Sequence, residues 1–118
     1  MPRLLCRSDM LLERDTAFLF NVVKNGRVWP AFIVRFENNA LAYLNVCAHA
    51  ALRLDGGRGQ FFSRDLQSLV CVSHGARYEP GSGRCTSGPC QGLSLIPLRI
   101  TETDNDIYYD DQEYEYCD

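Results

Sequence analysis

Two short segments, Cys47-Ala48-His49 and Cys71-Val72-Ser73-His74-Gly75, each place a thiol and an imidazole within three residues, and 21 residues separate them. Each segment sits where an apolar run (Leu41 to Val46, Leu69 to Val72) meets small residues, the pattern of a strand running into a loop. A fold that serves this pattern must bring the two loops to one point. The resulting pair of cysteines and pair of histidines suits a single tetrahedral zinc. It equally suits a two-iron, two-sulfide cluster in which the thiolates take one iron and the imidazoles the other.

Spacing favours the cluster, because zinc modules more often bring like ligands together as C-x₂₋₄-C and H-x₃₋₅-H, whereas each loop here supplies one of each kind. Taken singly, a cysteine is most often a small buried hydrophobe and a histidine a hydrogen-bonding residue. These are, however, the only two histidines in the chain, and both follow a cysteine by two or three residues.

At this point the sequence resembles the Rieske iron-sulfur family, whose two loops have this C-x-H and C-x-x-H-G order. The resemblance continues through Leu54-Asp55, His74-Gly75-Ala76-Arg77-Tyr78, Pro80-Gly81-Ser82-Gly83 and Gly88-Pro89-Cys90-Gln91-Gly92. It implies one [2Fe-2S] cluster, with Cys47 and Cys71 on one iron and His49 and His74 on the other. Such a centre is less negative than one held by four thiolates, so it accepts an electron at higher potential than a plant-type ferredoxin.

A chain of 118 residues is one domain, 1–118, too small for a core plus a separate catalytic module. With both histidines assigned to the cluster, no second iron site of two histidines and a carboxylate can form, so the chain is expected to be a carrier and not an enzyme. Met1 to Asp15 contains Asp9, Glu13 and Asp15 and reads as neither export signal nor membrane span, which predicts a cytoplasmic protein without a membrane partner. In a reducing compartment Cys6, Cys85, Cys90 and Cys117 are expected to be free thiols. Charge is uneven: Met1 to Arg99 holds twelve basic and seven acidic residues, and beyond Arg99 there are eight acidic residues and no basic one. The arginines are scattered and lack interleaved aromatics, so nucleic acid is not an expected partner.

Short β-rich stretches with turns between them recur along the chain, and no run has convincing helical periodicity. Ala17 to Val23, Val28 to Glu37 and Ala40 to Val46 read as a meander turned by Asn25-Gly26 and Asn38-Asn39. Further strands are expected near Gln60 to Ser63, Ser68 to Val72, Ala76 to Glu79, Leu93 to Thr101 and Asp106 to Asp110, with a Gly/Pro-rich stretch from Pro80 to Gly92. The fold class is all-β, a sandwich or small barrel. The resemblance implies a β-scaffold carrying a smaller, rubredoxin-like cluster subdomain at about 46–97, followed by an acidic C-terminal segment, 102–118.

Within that family, the chain looks like the Rieske-type ferredoxins that pass single electrons from a flavin-dependent reductase to a terminal oxygenase, or like nitrite reductase small subunits. The membrane-anchored branch has a disulfide between its loops, and Leu52 and Ser73 stand at the matching positions here. That branch also has a serine where this chain has Ala76, whereas Tyr78 adds a hydroxyl near a cluster sulfur. The missing disulfide and serine imply a potential towards the low end of the Rieske range, a drop that the Tyr78 hydroxyl softens. The class-distinct alternative is a structural zinc or partner-binding module that keeps the fold without redox activity.

Overall fold

A computed structural model describes residues 2–48, 52–56 and 58–117. Eleven strands are present in that portion: β1 (Arg3–Arg7), β2 (Phe18–Lys24), β3 (Arg27–Phe36), β4 (Asn39–Leu44), β5 (Leu69–Val70), β6 (Arg77–Tyr78), β7 (Cys85–Ser87), β8 (Pro97–Leu98), β9 (Ile100–Thr103), β10 (Asp106–Tyr109) and β11 (Glu115–Tyr116). They form a five-stranded sheet in the order β11-β2-β3-β4-β8 and two three-stranded sheets, β1-β10-β9 and β5-β6-β7.

The meander β2-β3-β4 is antiparallel and turns at Asn25-Gly26, where both residues have positive φ, 52° and 76°. That is the geometry of a two-residue hairpin, and asparagine and glycine tolerate it. Strand β3 shows why two layers form around it. Its alternate residues Phe32 and Val34 enter one core with Tyr43, Leu54, Phe61, Leu69 and Leu95, while Ala31 and Ile33 enter a second with Phe20, Val22, Leu44, Ile107 and Tyr109. The first core lies beneath the lobe between β4 and β8, where the Phe32 and Phe61 rings stack with centroids 3.9 Å apart. The second is covered by β1, β10 and the Tyr114 turn. The central sheet therefore separates the ligand-loop lobe from the acidic C-terminal layer.

Three expectations are corrected. Gln60 to Ser63 is not a strand: Phe62 makes one bridge to Leu69, and the chain then turns as the Ser63 hydroxyl engages the Asp65 carboxylate. Leu93 to Thr101 is not continuous, because the Arg99 N–H leaves the ladder for the Asp111 carboxylate at 2.9 Å, and the chain crosses there from the central sheet to the outer one. Cys85 and Cys90 are not free thiols but a disulfide. The turn through Gly88 and Pro89 brings their Cα atoms to 5.7 Å, within bridging range. Cys6 and Cys117 are not disulfide-bonded. Strands β1, β7 and β11 are additions that periodicity did not reveal.

Candidate metal centre

Strand β4 ends at Leu44, and Asn45 then fixes the chain for loop one. Its amide donates to the Asp55 carboxylate at 3.0 Å and accepts the Leu54 N–H at 2.9 Å, and the same carboxylate accepts the Gly59 N–H at 2.7 Å. Asn45 and Asp55 are both buried, so this clasp satisfies polar groups that would otherwise be costly inside a core. It holds the two ends of loop one together, and Cys47 N–H donates to Leu52 O at 2.7 Å across the loop. Loop two is tied to loop one by the Val72 N–H donating to Leu54 O at 2.8 Å. It is closed by Gly75 N–H to Cys71 O, also 2.8 Å, with Gly75 at φ 71°.

These ties bring Cys47 and Cys71 together. Both are buried in the first core, and, after burial itself, the Cys47 side chain is near enough to help raise the Cys71 pKa. Burial pushes the Cys71 thiol up, while the backbone N–H groups of His74 and Ser73 point at the sulfur and favour its anionic form. Tyr78, wholly buried on β6, places its hydroxyl 3.2 Å from Cys47 Sγ and accepts the Ala48 N–H at 3.0 Å. Burial, then Cys47 beside it, raise the Tyr78 phenol well above its ordinary range, so it stays protonated at neutral pH.

His74 is exposed at the tip of loop two, and His49 lies outside the described residues. Among the described residues no group of three histidine, cysteine or acidic side chains gathers at metal-ligating distance. The donor set nevertheless fits a cluster. Two adjacent buried thiols are surrounded by N–H and O–H donors aimed at sulfur, which a thiolate on iron would use. A third loop, the disulfide-braced turn 85–90, closes over this region. Gly88 has φ 91°, and a Cβ there would fall 2.9 Å from Ala76 Cα, so only glycine permits the approach. The structural role of Asn45 was not legible, because a lone asparagine at a strand end reads as a turn residue. The Asp55 side of the clasp lay within the matched motif, but its partner did not.

The architecture defines an all-β protein in which two loops bring the buried Cys47 and Cys71 into one core, beside a turn that contains Gly88 and Pro89. The Rieske [2Fe-2S] domain model matches residues 4–98, and the chain belongs to that family, whose members carry a [2Fe-2S] cluster. Solved structures share the fold. The ferredoxin of carbazole 1,9a-dioxygenase from Nocardioides aromaticivorans IC177 is 22% identical, with a TM-score of 0.71 and coverage of 95% of this chain and 99% of that one. The Sphingomonas yanoikuyae B1 ferredoxin is 17% identical, with a TM-score of 0.68 over 95% of this chain and all of its own. The terminal oxygenase of the Nocardioides system also matches, at 14% identity and TM-score 0.71, over 99% of this chain but 32% of the oxygenase. No curated protein matches in sequence. No helix among the described residues is long and apolar enough to cross a membrane.

Proposed function

We propose that this chain is a one-electron carrier, with its [2Fe-2S] cluster held by Cys47 and Cys71 on one iron and His49 and His74 on the other. The single observation that carries the reading is the convergence of the two buried cysteines, Cys47 and Cys71, under donors aimed at their sulfurs. Bound there, the group supplies a reversible one-electron couple. The surrounding residues do the rest: Tyr78 and the Ser73 and His74 backbone stabilise negative charge on sulfur, and the Phe32–Phe61 core keeps water from the thiolates. His74 at the exposed loop tip is the expected exit for the electron. Ala76 offers no hydroxyl and no disulfide joins Leu52 to Ser73, so the midpoint lies near the low end of about −150 to +300 mV.

The proposed direction of flow is from a flavin-dependent reductase to a terminal oxygenase, in a multicomponent system. The ferredoxin-sized likeness supports this, as does a structural neighbour described as a complex of reduced oxygenase and oxidized ferredoxin in carbazole 1,9a-dioxygenase, which is 17% identical with a TM-score of 0.69. Metal and acid-labile sulfide analysis of the purified protein tests the cofactor reading. Equal iron and sulfide in a brown protein is the expected result, and zinc without sulfide overturns it.

A further inference from the structure

The lobe between β4 and β8 carries five arginines, Arg53, Arg58, Arg64, Arg77 and Arg84, against only Asp55, Asp65 and Glu79, and Asp55 is fully buried. All five guanidinium-bearing residues are exposed, and none is within ion-pair distance of a carboxylate among the described residues. Cations elsewhere are engaged. Arg7, Arg14, Lys24, Arg35 and Arg99 each pair with a carboxylate at 2.7 to 4.0 Å, and Arg27 lies over the Trp29 ring at 4.0 Å. The fold thus consumes its cations in the scaffold and leaves them unpaired around the ligand loops.

The opposite layer has the reverse charge. Residues 98–118 contain eight acids and one arginine, and they lie across the central sheet from the ligand-loop lobe. Within the arginine-rich lobe, exposed apolar side chains sit on the ligand loops themselves: Leu52 in loop one and Val72 between Cys71 and His74. An apolar centre with an arginine rim is the anatomy of a protein–protein contact.

We propose that this lobe docks an acidic protein surface, with Leu52 and Val72 at the contact and Arg53, Arg58 and Arg77 pairing with the partner's carboxylates. The proposal rests on the electron-carrier reading and names the chemistry of the partner. A protein fits better than a nucleic acid, because the exposed apolar residues Leu52 and Val72 have no role on a phosphate backbone. Charge separation across the sheet turns the molecule with its ligand loops leading as it approaches a negative surface, which raises productive encounters more than final affinity.

The test uses the full-length holoprotein at gold electrodes coated with carboxylate-terminated or amine-terminated monolayers, alongside the triple variant Arg53→Glu/Arg58→Glu/Arg77→Glu. Electron exchange is expected at the carboxylate surface, slowing about tenfold on going from low to high salt and by about tenfold or more in the variant. The variant should keep its visible spectrum. Exchange only at the amine surface, or equal exchange by variant and parent at the carboxylate surface, overturns the proposal. Arginine-dependent retention of a single-stranded oligonucleotide at moderate salt also overturns it, in favour of nucleic acid. A mediated titration separates the two levels: absence of any reversible one-electron step sinks the carrier reading itself, whereas a normal titration without exchange at the carboxylate surface sinks only the docking.

Discussion

The Tyr78 hydroxyl lies 3.2 Å from Cys47 Sγ while its oxygen accepts the Ala48 N–H at 3.0 Å. With that N–H satisfied by the oxygen, the phenolic proton is free to point at sulfur. With Cys47 as a thiolate on iron, as proposed, it would have no proton to give and Tyr78 would be the donor. The contact strengthens as negative charge grows on sulfur, and it therefore stabilises the reduced state.

Tyr78→Phe removes this donor without changing the ring that packs in the core. A hydrogen bond to a charged acceptor contributes about 1.5 to 3 kcal/mol. At about 59 mV per tenfold for one electron, the midpoint should fall by at most about 65 to 130 mV. Voltammetry on the variant and its parent at the same pH measures this. An unchanged or higher midpoint means that the hydroxyl does not serve the sulfur.

The disulfide predicts a separation of stability from metal binding. Cys85 and Cys90 are five residues apart, and releasing so short a loop costs about 2 kcal/mol by the chain-entropy estimate. Cys90→Ser should unfold at correspondingly lower denaturant while retaining its iron and visible spectrum. Loss of the cluster would place this pair among the ligands.

Legibility was highest where local chemistry is repetitive. The Asn25-Gly26 hairpin and the meander around it follow from turn residues and alternation. The parts that escaped depend on distant partners. Cys85 and Cys90 read as free thiols until the 85–90 turn is seen to bring them together, and Asn45 shows no special role until Asp55 arrives ten residues later. Arg99 breaks its strand because Asp111, twelve residues on, captures its N–H. The acidic segment 102–118 is held to the central sheet at its end because Glu115 and Tyr116 pair with Val23 and Val22.

Arg35 and Glu102 join the central sheet to the outer one. Their contacts are 2.7 and 3.2 Å, and the Arg35 side chain is largely buried. The Arg35 guanidinium holds the Glu102 carboxyl below its ordinary range of about 4.5. Since the folded state lowers this pKa, the pair stabilises the fold above the unfolded value and loses its effect only as pH falls through the folded one. Glu102→Gln should cost about 1 kcal/mol, with the deficit constant from pH 8 down to pH 5. Denaturant titrations across that interval check it, and a deficit that closes within it contradicts the assignment.

The most direct test labels histidine with ¹⁵N, which is unambiguous because His49 and His74 are the only histidines. Electron-nuclear double resonance on the dithionite-reduced protein should show two strongly coupled nitrogens on one iron-sulfur centre, and His74→Ala should remove that pair of couplings. A reduced centre without histidine nitrogen coupling, or a colourless protein holding zinc alone, contradicts the assignment of Cys47, His49, Cys71 and His74 as the ligands of a one-electron carrier.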